Sequence, residues 1–114
     1  MWSSNDVTET FSNSQNVILS NGVSINFHEH GNANAPEKVL LIMGLWTTKE
    51  AWYPIVSGLM NEKPEGYHII TYDNRGVGNS QSPWGRYTTQ LLAEDAVLLM
   101  EAKRWDTVHV VGVR

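Results

Sequence analysis

Three short stretches of this chain hold residue types and spacings that could do chemistry. The first is "YDNRGVGNS", residues 72–80. Asp73 can accept hydrogen bonds from the turn it enters. Arg75 offers five donors to loop carbonyls or to a carboxylate. Gly76 and Gly78 permit tight backbone geometry. A Gly-x-Gly after a strand also invites a dinucleotide-binding reading. That reading needs a third glycine where Gln81 stands and a helix where "SQSPWG" stands, so a structural loop fits better. The second stretch is "LLIMGLWTTKEAW", residues 40–52. A strand ending at Gly44 and a helix starting near Thr48 would leave backbone N–H groups pointing outward at a positive helix end. Such a turn can hold a phosphate, a carboxylate or a developing oxyanion, and it can equally be an ordinary connection. The third is "HEH", which puts His28 and His30 on one face of a strand. Two imidazoles could begin a metal site, but no convincing third ligand lies nearby, and polar residues on an edge hairpin are the plainer reading.

The elements that must position these residues follow from pattern. "NVILS-NG-VSINFHEHG" reads as two β runs around Asn21-Gly22, a hairpin with a two-residue turn. "KVLLIMG" (38–44) and "YHIITYD" (67–73) are short, nearly all-apolar runs, as expected of strands covered on both faces. Between them, Thr47 and Glu50 have capping-box spacing, and Pro54 must kink the following helix or end its first part. "TTQLLAEDAVLLMEAKRW" has apolar residues at 91, 92, 96, 98, 99 and 102, a helical stripe capped by Thr88 or Thr89. A last strand is expected over 107–113. Hairpin, strand, helix, strand, helix, strand implies an α/β fold with right-handed crossovers and a parallel sheet. His68 and His109 fall inside apolar strands and read as core histidines. Trp46, Trp52, Trp84 and Trp105 read as core or loop-packing residues, with Trp46 and Trp84 also placed to line a pocket mouth.

Composition narrows the function classes. The chain has 114 residues, 41% of them hydrophobic, enough for one domain. A net charge of -4 without charge blocks argues against a nucleic-acid surface. The absence of cysteine excludes disulfides, thiolate metal sites and cysteine nucleophiles. No apolar run approaches the ~18 residues of a membrane span. Residues 1–15 are polar and unlike a signal peptide, which points to a flexible leader before a domain over 16–114 and to a cytoplasmic location.

Taken together, "VLLIMGLWTTKEAW", "YDNRGVGNS" and "YTTQLLAEDAVLLMEAKRWDTVHVVG" resemble, in order and spacing, the N-terminal half of the α/β-hydrolase fold. The likeness runs over about residues 17–112 and is nearest the esterase/lipase-like branch whose oxyanion loop reads Met-Gly. It implies a serine hydrolase of ester or related acyl bonds that uses a Ser-His-Asp triad, with a small-molecule substrate and no cofactor or metal. By the same resemblance, the backbone N–H of Leu45 matches an oxyanion-hole donor. Asp73, Arg75 and Gly76 match the family's structural loop. Gly112 matches the first glycine of the Gly-x-Ser-x-Gly nucleophile turn. Arg114 stands where the serine would be, so the expectation is a partial domain lacking the triad and inactive alone. A Val-rich final strand with one unpaired edge then makes marginal stability, self-association or pairing with a partner strand the further expectations.

Overall fold

The computed structural model describes residues 9–44, 47–63, 65–85 and 87–113. The elements are β1 (Gln15–Ile18), β2 (Ser24–Gly31), β3 (Glu37–Ile42), a 3-10 turn (Lys49–Trp52), α1 (Tyr53–Glu62), β4 (Tyr67–Tyr72), α2 (Thr89–Ala102) and β5 (His109–Gly112). They build one five-stranded sheet in the order β1-β2-β4-β3-β5. β1 and β2 are antiparallel, as are β2 and β4, while β3 runs parallel to both β4 and β5. The expected α/β fold, a hairpin followed by parallel β-α-β-α-β, is therefore present.

Side-chain alternation sorts the strands onto two cores. Ile25, Phe27, Leu40, Ile70 and Tyr72 pack with Ala96 and Leu99 of α2. Val39, Leu41 and Ile69 pack on the opposite face with Trp52, Val56 and Met60. The connection through α1 leads from β3 to β4 on one side, and the connection through α2 crosses back to β5 on the other. The chain thus reverses direction about β3, and its two helices cover opposite faces.

Local chemistry explains most boundaries. Thr88 caps α2, accepting from the Leu91 N–H at 3.0 Å. The other end closes with the Trp105 N–H bonded to the Met100 carbonyl and the Arg104 N–H to the Glu101 carbonyl. This is the bonding pattern of a Schellman closure, with Arg104 at φ +58° where glycine is usual. Pro54 falls in the first turn of α1, where its missing N–H costs nothing, so the proline starts the α-helix after the 3-10 turn.

Several expectations needed correction. The hairpin connection runs from Leu19 to Val23, and only Gly22 has positive φ (+89°). Leu19 and Val23 are buried, and drawing both into the core lengthens the loop. β2 lies between β1 and β4, so His28 and His30 are interior residues and not edge ones. His109 is exposed rather than core, because β5 forms the sheet border. Trp84 is fully exposed and packs against nothing (102%), whereas Trp52 is buried and Trp105 packs against the α2-side core. On β5, Val110, Val111 and Val113 are about half exposed (51%, 45% and 48%). In the segment expected to be a leader, residues 9–12 form a helical turn, and the Phe11 ring lies 4.5 Å from that of His30.

Candidate active-site scaffold

In an open α/β sheet, ligands bind beyond the carboxyl ends of the strands where the winding reverses. Here that place is the end of β3, flanked by β4 and β5. A cleft of about 600 Å³ opens there, walled by Ile42, Met43, Leu92, Ala93 and Val113. Gly44, Asn74 and Thr89 add the polar groups.

The loop after β4 organises this end of the sheet. Asp73 is fully buried. Its Oδ1 accepts from the Lys49 backbone N–H at 2.7 Å, and its Oδ2 accepts from Lys49 Nζ at 2.8 Å and the Asn79 N–H at 3.1 Å. Asp73 therefore occupies the positive helix end that the sequence marked as an anion site. The turn starts one residue later than the Thr47–Glu50 capping-box spacing implies. The turn is capped at Thr48, whose side chain makes no capping bond, and the carboxylate has taken the free Lys49 N–H. Lys49 is itself fully buried and reaches Glu50 at 3.1 Å on its second side. Burying two charges is costly unless they are paired and hydrogen-bonded, and this pair is both.

Asn74 acts on the same loop from its other end. Its Nδ2 donates to the Met43 carbonyl at 2.9 Å. That fixes the Met43–Gly44 peptide, as Asp73 fixes the Lys49 N–H. Leu45, Trp46 and Arg114 lie outside the described residues.

Arg75 points elsewhere. Its Nε and Nη2 bind Asp95 of α2 at 2.6 and 2.8 Å, a two-pronged ion pair. Asp95 raises the Arg75 guanidinium further above its ordinary range. Asn21 Nδ2 adds a third bond to Asp95 at 3.0 Å, which ties the hairpin loop to α2. Gly76 has φ +81° and faces the Tyr87 ring so closely that a Cβ would strike it. Gly112 ends β5 opposite Ile42. Asp73, Arg75 and Gly76 thus sit on one loop beside the cleft, and Gly112 lies across β3 from it.

Sequence reasoning missed Lys49 and Asp95. Asp95 did leave a signal, being an acid inside the apolar stripe of α2. Lys49 left none, since nothing in "TTKEAW" marks a lysine whose partner lies twenty-four residues on.

His30 bonds Thr10 Oγ1 at 2.7 Å and Thr71 Oγ1 at 2.8 Å. Burial pushes its imidazole down to about 3. Burial, then the Lys49 charge, lowers that of His28. Among the described residues, no three His, Cys, Asp or Glu side chains come together as metal ligands, and no helix is long and apolar enough to cross a membrane.

Comparison with known proteins gives the same frame. The model of the alpha/beta hydrolase fold family matches residues 38–113, more than half of the chain. RutD of Caulobacter segnis, described as a carbamate hydrolase, is 37% identical over 78 residues, which span 67% of this chain and 28% of that protein. The 3-oxoadipate enol-lactonase 1 of Acinetobacter baylyi is 28% identical over 99 residues, 85% of this chain and 35% of that one. Among solved structures, a hydrolase from Pseudomonas aeruginosa superposes with a TM-score of 0.78 at 28% identity, covering 89% of this chain and 36% of that one. The chain thus spans about a third of the length of these relatives. It belongs to the α/β-hydrolase fold family.

Proposed function

We propose that residues 1–114 form the scaffold and one oxyanion-hole wall of a hydrolase acting on small esters or related acyl compounds. The observation that carries this reading is that Asn74 fastens the Met43 carbonyl and Asp73 fastens the Lys49 N–H beside the cleft at the end of β3. A backbone donor stabilises a developing oxyanion only if it is held in place before charge appears, and fixed peptides at both ends of a short loop meet that need. On the family likeness the donor is the Leu45 N–H. Two similar proteins named for carbamate and enol-lactone hydrolysis act, by those names, at acyl carbons, which supports the substrate class. Acyl transfer also needs an activated nucleophile and a base. By the likeness the nucleophile follows Gly112-Val113, where Arg114 stands. These residues alone therefore turn over no ester. Purified chain incubated with p-nitrophenyl esters and a fluorophosphonate probe should give neither product nor labelling, and serine-directed labelling that abolishes turnover would overturn the reading.

A second reading has its own observation. The Val113 N–H bonds the Ile42 carbonyl, so Val113 and Val111 aim their backbone groups at β3. Those of Val110 and Gly112 then point outward along a border flanked by half-exposed valines. Such an edge suits an interaction protein that pairs with a second strand, including that of another copy. Gel filtration with light scattering should then show a dimer, or larger species, that Val110→Pro returns to monomer. A monomeric parent chain would end this reading.

A further inference from the structure

The connection between β1 and β2 carries the only Asn-Gly pair in the sequence, Asn21-Gly22. Both residues are exposed to water. An asparagine followed by glycine can modify itself, because no Cβ on the glycine keeps its nitrogen away from the asparagine amide carbon. A bond forms between Gly22 N and Asn21 Cγ. The Cγ–Nδ2 bond breaks, and ammonia leaves with the proton that Gly22 N gives up. Water then opens the resulting succinimide ring at one of its two carbonyls. Opening at Cγ gives aspartate, and opening at the backbone carbonyl gives isoaspartate.

The fold restrains both reacting groups. The Gly22 N–H donates to the Leu19 carbonyl at 2.8 Å, so attack requires the nitrogen to leave that partner. The Asn21 amide is anchored at both of its polar atoms. Oδ1 accepts from the Val23 N–H at 3.1 Å, and Nδ2 donates to Asp95 Oδ1 at 3.0 Å. Asp95 is fully buried, and Arg75 holds it with two bonds of its own. Cγ turns tetrahedral as the new bond forms, and an amide anchored at both ends resists that change. The departing nitrogen must also take up a proton, and the Asp95 carboxylate, paired with Arg75, only accepts.

We propose that Asn21-Gly22 is a latent self-modification site guarded by Asp95, and that its conversion unlatches the hairpin from α2. Aspartate at this position has no N–H to offer Asp95. It brings a second carboxylate to an ion pair with a single guanidinium, whose Nε and Nη2 are already given to Asp95. Isoaspartate adds a carbon to the main chain inside the turn. Either product loses the Asn21–Asp95 bond that ties the turn to α2. This inference is independent of the hydrolase reading, since neither Asn21, Gly22 nor Asp95 borders the cleft.

The test is peptide mass spectrometry on the whole chain, reading the exchange of –NH2 for –OH at each asparagine during incubation at neutral pH. Asn13-Ser14, with Asn13 also exposed, serves as the internal reference. In guanidinium chloride Asn21 should react well ahead of Asn13. In the folded chain Asn21 should slow by at least about tenfold relative to that reference, as expected when a hydrogen bond to a charged group must first open. Asp95→Ala should restore much of the lost speed. Asn21→Asp supplies one product directly, and it should lower hydrogen-exchange protection of the Leu19 and Gly22 amides while those of β3 and β4 stay protected. Equal relative rates in folded and denatured chain, a folded Asp95→Ala chain as slow as the parent, or undiminished protection in Asn21→Asp would each overturn the proposal. The first and third measurements do not need Asp95→Ala to fold.

Discussion

Acid should destabilise this protein well above the range in which carboxylates titrate, and His30 is the main reason. Its side chain is fully buried between the hydroxyls of Thr10 and Thr71, with the Phe11 ring beside it. Burial lowers its imidazole from 6.5 to about 3, with His28 adding to the effect. In the unfolded chain the same imidazole protonates near its ordinary value. Above 6.5 both states are neutral, and His30 imposes no penalty. Between 6.5 and about 3 the unfolded state binds one more proton than the folded one, so stability falls as pH falls. Each pH unit in that window costs about 1.4 kcal/mol, and the whole window roughly 5 kcal/mol. A domain of this size has only about 5–15 kcal/mol to lose. His28, lowered by burial and by Lys49, acts in the same direction. Glu29 joins later. The His68 hydrogen bond, with help from Lys103, holds its carboxyl down to about 2, so its contribution is full above 4.5 and fades as pH falls toward 2.

The discriminating variant is His30→Gln, whose amide can still meet one hydroxyl as donor and the other as acceptor but cannot titrate. Urea denaturation followed by circular dichroism at several pH values between 6.5 and 5 gives the slope directly. The variant should be less stable than the parent at neutral pH, yet its slope should be smaller by up to about 1.4 kcal/mol per pH unit. Equal slopes would refute the reasoning, as would an NMR titration placing the His30 imidazole near its ordinary value in the folded chain.

Three further predictions rest on separate contacts. Asp73→Asn leaves the buried Lys49 ammonium with only the half-exposed Glu50 carboxylate as counter-charge and should cost about 3 kcal/mol in denaturant unfolding, with Lys49→Met in the same chain recovering part of the loss. Gly78→Ala should cost about 2 kcal/mol, because φ is +54° and a Cβ would collide with the Asp73 carboxylate; a thermal melt measures it. Arg104→Gly should do the opposite and stabilise by about 1 kcal/mol, since glycine meets the φ of +58° that the closure of α2 demands; an unchanged melting temperature would count against strain there.

What could be read from the sequence was local or periodic. The apolar runs of β3 and β4 announced strands covered on both faces, and the stripe on α2 with Thr88 before it announced a capped helix. What could not be read depended on distant partners. Alternation along β2 put His28 and His30 on one face, but nothing local said that residues 9–11 and α1 would bury that face. The cap position shifted for a related reason: Thr47 and Glu50 have capping-box spacing, yet the turn is capped at Thr48, and its first N–H, that of Lys49, goes to Asp73, twenty-four residues on. His109 was misjudged because an apolar strand reads alike at the centre and at the border of a sheet, and its exposure follows from what lies next to β5.

The loop after β4 shows why a few residues there carry so much of the architecture. Three consecutive side chains leave it in three directions. Asp73 reaches the turn before α1, Asn74 reaches the end of β3, and Arg75 reaches the middle of α2. Each contact crosses to a different element, so the loop couples both helical layers to the strand end that borders the cleft. Such splaying requires a backbone that doubles back, and Gly76 and Gly78 at φ +81° and +54° supply it. The return then brings the Asn79 N–H to Asp73 Oδ2, adding a backbone donor to a carboxylate already held by Lys49. A larger residue at Gly78 would therefore act on Asp73 and, through Asp73, on the Lys49 turn. Stability and the shape of the cleft should change together for substitutions in this loop, whereas a substitution confined to the exposed face of α2, such as at Val97, should leave both unchanged.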